Sequence, residues 1–223
     1  MQKISHKKKA WAKELWSRLK SSIKIDKKKF VVDYVDNPFR VLVAIILSQN
    51  TNDKNAIRAL SNLKQKVGLS PKSIANADLG VIEEAIKPAG LQRQKARTIK
   101  NLSRNIVNGL DIESILKMDV LEARKRLLGI EGIGKKTADV FLAIYGKRIM
   151  GVDTHAKRIA RRLGITSSSS YDEIQRAYLS VFDFVDDFDY LHKLIISLGR
   201  KYCLAKSPRC DRCPISDLCE KNI

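Results

Sequence analysis

Residues 127–146 read LLGIEGIGKKTADVFLAIYG. Two apolar helical runs are joined there by Ile130-Glu131-Gly132-Ile133-Gly134. Glycines at Gly132 and Gly134 let the backbone turn tightly and leave bare N–H groups that a phosphate can approach. The helix that starts next points the positive end of its dipole at the same place. The pattern is that of a helix-hairpin-helix, a grip on a nucleic-acid backbone that reads no base sequence. A G-x-G alone is a weak signal, because an ordinary αα-corner also uses it. The full string with Lys135, Lys136, Thr137 and Ala138 is far more specific.

The rest of the chain is helical in pattern. Apolar residues recur at three and four spacing in most windows, and no alternating strand pattern stands out. Trp11, Leu15, Leu19 and Ile23 share one face of an N-terminal helix. Asn37-Pro38 reads as an N-cap with Pro in the first helical position, opening the apolar helix PFRVLVAIILS. A helix over 53–66 follows, and Ser70-Pro71 starts another. Amphipathic runs are predicted over 95–108, 120–128, 136–145, 155–163, 172–182 and 190–203. Gly68, Gly90 and Gly109 mark helix ends. Ser167–Ser170 is a loop before the capping run Ser170-Tyr171-Asp172-Glu173. An all-α body is expected.

Composition narrows the partners. The 223 residues hold 43 Lys plus Arg against 24 Asp plus Glu, a formal charge of +19, and such a surplus attracts polyanions. Apolar content of 44% supports real cores. Val41–Leu47 is the longest apolar run and is core-sized, so no membrane partner is expected. Lys3, Lys7, Lys8 and Lys9 are not followed by an apolar signal region. A cytoplasmic monomer is the resulting expectation.

The four cysteines of the chain crowd one stretch, KYCLAKSPRCDRCPISDLCEKN, at Cys203, Cys210, Cys213 and Cys219. A reducing compartment argues against disulfides. Zinc usually takes two C-x2-C pairs, and only Cys210 and Cys213 form one. The spacing C-x6-C-x2-C-x5-C suits a larger object, such as a four-iron cluster held by four thiolates. Zinc stays open on chemistry alone.

That spacing resembles, gap for gap, the cluster loop of the endonuclease III family of DNA glycosylases. The likeness covers nearly the whole chain: GIGKKTADVFL and GVDTHAKRIARRLGI are similar to the helix-hairpin-helix glycosylases, and NPFRVLVAIILSQNTND and AGLQRQKARTI to their base-displacing segments. The resemblance implies a two-domain helix-hairpin-helix glycosylase fold. A six-helix barrel would span 31–147, and a cluster-bearing helical domain 1–30 with 148–223. It implies one [4Fe-4S] cluster on the four cysteines. The partner would be duplex DNA with a damaged base or abasic site, the base being extruded between the domains.

Site residues follow in the same way. Lys136 sits at a helix start beside Lys135, where dipole and like charge both disfavour its ammonium form. A neutral amine forms Schiff bases, and the resemblance places the catalytic lysine of bifunctional members on Lys136. Asp153 reads by itself as a helix N-cap. The resemblance adds a catalytic aspartate, able to stabilise oxocarbenium-like charge or to take a proton. Gln49, or Asn50 by a gapless alignment, and Leu91 would fill the vacated stack. Gly132, Gly134, Lys135, Lys206, Arg209 and Arg212 would hold the phosphate backbone. The implied activity is removal of oxidised pyrimidines with β-elimination at the sugar. A uracil or thymine mismatch glycosylase on the same scaffold, and a non-catalytic DNA-binding module with zinc, are the alternatives. Glu131 departs from the Pro common in such hairpins.

Overall fold

The computed structural model describes residues 6–25 and 28–223; Lys3 of the basic N-terminal run lies outside them. Among the described residues the chain forms α-helices and short 3-10 turns, with no strand. No helix is long and apolar enough to cross a membrane. Two compact units form, one from residues 26–145 and one from 1–25 with 146–223.

The first unit holds α2 (Pro38–Ser48), α3 (Asp53–Lys66), α4 (Pro71–Asn76), α5 (Leu79–Ile86), α6 (Gln92–Val107), α7 (Ile112–Lys117), α8 (Val120–Leu128) and α9 (Lys135–Ile144). Its centre is α2. Asn37 accepts a hydrogen bond from the Arg40 amide at 2.9 Å, and Pro38 occupies the first turn, as the sequence predicts. Phe39 and every residue from Val41 to Leu47 are buried. A helix apolar on all sides must be enclosed, and α2 packs against α3, α6, α7 and α9. Helices α5 and α7, absent from the periodicity reading, are each short and each opened by an aspartate cap, Asp78 or Asp111. The caps were the available signal.

The hairpin joins α8 to α9. Gly129, Ile130 and Ile133 close the turn through backbone bonds, with Ile130 and Ile133 buried beneath it. The two helices are also tied by an ion pair. Arg124 Nε lies 2.7 Å from Asp139 Oδ1, and its Nη2 lies 3.2 Å from Oδ2. Asp139 is fully buried, so Arg124 supplies the counter-charge of a desolvated carboxylate, and its removal would be destabilising.

The second unit contains α1 (His6–Ser22), α10 (Thr154–Arg162), α11 (Tyr171–Val181), α12 (Phe188–Lys201) and the cysteine loop. Leu15, Leu19 and Ile23 are buried in its core with Ala156, Ile159, Tyr178 and Phe182; Trp11 packs against it and donates its indole N–H to the Leu218 carbonyl at 2.9 Å. Asp153 caps α10 and Asp187 caps α12. Ser170 occupies the N-cap of α11, but its side chain makes no cap hydrogen bond, which corrects the predicted capping run.

The two hairpin glycines differ. Gly132 has φ +85°, and a Cβ there would collide with the Thr98 side chain. Gly134 has φ −88°, a conformation any residue adopts, and a Cβ there would meet nothing within 4 Å. Only Gly132 is therefore required by the backbone itself. Gly132→Ala should lower the unfolding free energy by about 1–3 kcal/mol from backbone strain, before Thr98 is displaced. Gly134→Ala should cost about 1 kcal/mol or less. Urea denaturation of both variants checks this, and equal losses would refute the distinction.

Candidate functional site

In the first unit the functional side chains gather around the hairpin. Lys135 and Lys136 form the first turn of α9 directly after Gly134, and both are exposed. No side chain caps this helix, so its leading amides face outward beside open space at Gly134. A helix start of this kind, with two lysines next to it, favours an anion.

Two loop tips carry the predicted gap-filling residues. Gln49 is the C-cap of α2, and its Nε2 donates to Thr137 Oγ1 of α9 at 2.8 Å. Asn50, the alternative, is exposed with a left-handed φ of +51°. The structure thus brings Gln49 to the hairpin and leaves Asn50 pointing to solvent. Leu91, at the N-cap of α6, is likewise left-handed at φ +50° and is 51% exposed. Left-handed backbone on a leucine is costly, and an exposed leucine gains nothing from burial to offset it. At that exposure Leu91 packs into no core.

Between the two tips lies a residue that sequence reasoning missed. Lys95 of α6 is 1% exposed, and its Nζ donates to the carbonyls of Leu47 and Ala89, each at 2.9 Å. Burial lowers its pKa to about 8. The signal was present: Lys95, Ile99 and Leu102 lie at helical spacing, a lysine in an apolar stripe.

In the second unit Asp153 accepts the Ala156 amide at 2.7 Å, as an N-cap does. Burial opposes its ionisation. The imidazole of His192, the Ala156 amide and His155 outweigh that and hold the carboxyl well below the usual carboxylate range. His192 Nε2 lies 3.8 Å from Asp153 Oδ1, an ion-pair distance too long for a hydrogen bond, and it has no hydrogen-bond partner. Asp153 is therefore both a cap and a preformed carboxylate. His192 is another residue the sequence did not signal.

All four cysteines line one pocket, with Ile159, Leu163, Leu198 and Ile215 as apolar walls. All are free thiols. Burial and the neighbouring cysteines push the Cys213 and Cys219 thiols up, and a bound cation would favour their thiolates. The donor set fits a cluster. It also fits one from outside the thiols: buried Arg162 donates to Cys203 Sγ at 3.3 Å, to the Leu204 carbonyl at 2.7 Å and to that of Ala205 at 3.1 Å. The Lys221 amide donates to Cys219 Sγ at 3.4 Å. Lys206, Arg209 and Arg212 are exposed on the same loop, and Arg212 lies 3.6 Å from Asp211.

Comparison with known proteins agrees with this arrangement. Residues 43–183 match the HhH-GPD superfamily of base excision DNA repair proteins, and residues 203–219 match the iron–sulfur binding domain of endonuclease III. Endonuclease III of Sulfolobus acidocaldarius is 40% identical over 216 residues, covering 94% of this chain and 95% of the relative. Endonuclease III of Bacillus subtilis is 33% identical over 187 residues, covering 83% and 82%. Among solved structures, a trapped endonuclease III–DNA covalent intermediate superposes with a TM-score of 0.77 at 26% identity, covering 95% and 96%. The cofactor is a [4Fe-4S] cluster. A hairpin with open amides, a four-thiol pocket and this pattern of relatives lead to one assignment: the chain belongs to the endonuclease III family of HhH-GPD base excision DNA repair proteins.

Proposed function

We propose that this chain is a bifunctional DNA glycosylase and AP lyase that binds damaged duplex DNA, removes oxidised pyrimidines and cleaves the strand by β-elimination. The observation that carries the lyase half is Lys136, exposed in the first turn of α9 directly behind the hairpin. Family membership supports the glycosylase half. We further assign the unit of residues 26–145 to the barrel domain and the other unit to the cluster domain.

The damaged nucleotide leaves the stack, and Leu91 with Gln49 or Asn50 fills the gap. The amine of Lys136 attacks C1′ as the C1′–N bond to the base breaks, and the base leaves with a proton. The sugar ring opens to a Schiff base, a proton is lost from C2′, and the 3′ C–O bond breaks. Water then releases Lys136. Asp153, ionised across the physiological range by its surroundings, stabilises positive charge at the sugar and takes protons. Backbone amides at Gly132 and Gly134, with Lys135, Lys206, Arg209 and Arg212, hold phosphates and carry no base information. The cluster, bound by Cys203, Cys210, Cys213 and Cys219, supplies folding energy to its loop.

Three outcomes test this reading. Borohydride should trap a protein–DNA adduct on duplexes with thymine glycol, and Lys136→Gln should abolish it. Asp153→Asn should slow base release by about 100-fold or more while duplex binding survives, although Asn caps a helix as well as Asp. Trapping undiminished in Lys136→Gln would assign the nucleophile elsewhere, and parallel duplexes with uracil or a T:G mismatch read the lesion class.

Purified protein should contain about four irons per chain. Cys210→Ser should lose the iron and the near-ultraviolet circular dichroism of the loop. Stoichiometric zinc with no iron after anaerobic purification would refute the cluster assignment.

Arg209→Ala and Lys206→Ala should weaken damaged and undamaged duplexes equally. Each should lower the slope of log affinity against log salt by about one. A changed lesion preference with an intact slope would remove these residues from the backbone contacts.

A further inference from the structure

Among the described residues Lys95 has no carboxylate partner. Its Nζ has two partners, the carbonyls of Leu47 and Ala89, and its side chain is enclosed. Desolvating a cationic group without a counter-charge is among the more costly arrangements a core can hold. An apolar residue on the stripe of Lys95, Ile99 and Leu102 would satisfy packing without that cost. The position needs a donor, and what it donates to locates the need. Leu47 lies two residues before Gln49 and three before Asn50. Ala89 lies two residues before Leu91. One amine thus ties together the two chain segments that end in the exposed tips. Both tips hold non-glycine residues with left-handed backbone, Asn50 and Leu91. Such conformations persist only where the surroundings over-determine them. Gly90, at φ +69° between Ala89 and Leu91, leaves the Leu91 tip with little stiffness of its own.

We propose that Lys95 is the positioning residue that fixes the Gln49–Asn50 tip and the Leu91 tip relative to each other, so that both enter the DNA stack together. This rests on the reading of those tips as the gap-filling residues. Lys95 is not a second nucleophile, because an amine 1% exposed cannot reach a sugar. It acts only where a stacked base must be displaced. Its loss should therefore matter for a paired lesion and matter little where no base opposes the target.

The test compares single-turnover base release from two duplexes, one with thymine glycol paired to adenine and one with thymine glycol opposite an abasic site. Lys95→Met keeps the apolar stem and removes the donor. It should slow release from the paired duplex about 10–100-fold and change the unpaired duplex less than about threefold. Lys95→Gln retains a donor and should recover part of the paired rate. If Lys95→Met does not fold, the same comparison is made on Lys95→Gln against the wild type. Leu91→Ala, at a surface position, should show the same selective loss. Combined with the Lys95 variant, it should add little, because both act on one event. Equal losses on both duplexes would reduce Lys95 to a stability residue, and a fully multiplicative double variant would overturn the coupling. A Leu91→Ala enzyme with no selective loss would instead refute the gap-filling reading itself. Borohydride trapping on an abasic duplex, which reports on Lys136, should stay at the wild-type level in Lys95→Met.

Discussion

Enclosure of α2 is the constraint on which the first unit depends. Nine consecutive side chains after Pro38 include only one, Arg40, that is not buried. Such a helix has no outer face, and four others must close around it. That requirement places α9, the helix after the hairpin, directly against α2, and it places the end of α2 where Gln49 reaches Thr137. The hairpin turn and the loop after α2 thereby become parts of one packing arrangement. Each large apolar side chain buried there contributes about 1.5–3 kcal/mol. The strain at Asn50 and Leu91 is small beside that total.

Electrostatics in the second unit follows a different logic. Four half-buried thiols crowded together repel as thiolates, and a carboxylate at Asp153 is largely desolvated. Each is reconciled with its charge locally. Asp153 has an amide and two imidazoles; the thiols have the cluster, Arg162 and a backbone amide. Both sets are built on the same short helix, α10. Asp153 is its first boundary residue and Arg162 its last turn. The cluster loop and the Asp153 carboxylate can therefore share one structural support without sharing chemistry.

Much of this was legible in the residues. Asn37-Pro38 and an unbroken apolar run specify a buried, capped helix with little ambiguity, and the hairpin string specifies its turn. What was not legible depends on tertiary contact. The apolar stripe of Lys95, Ile99 and Leu102 hints at burial, but what Lys95 does is not legible until the Leu47 and Ala89 carbonyls are seen beside it. The left-handed backbone at Leu91 has no local sequence cause, since leucine disfavours it. Gly134 illustrates the reverse error. A glycine in a turn suggests a required conformation, yet its φ of −88° is ordinary, and its value lies in the open space a side chain would fill. His192 gave no signal because its significance is its distance to Asp153, which no spacing encodes.

Helix α10 also limits how this chain can vary. Ala156, Ile159, Ala160 and Arg162 are buried, and Arg158 is committed to the Cys203 and Gly199 carbonyls. A Cβ added at Gly199 would collide with the His155 side chain, which ties those two residues together. That leaves Thr154, Lys157 and Arg161 as the exposed residues of the helix, spaced along a single stripe. Neutral drift in α10 is thus confined to one stripe, and two of its three positions already carry positive charge. Sequence change can tune the long-range attraction of this unit for polyanions while the cap and the metal loop it supports stay fixed.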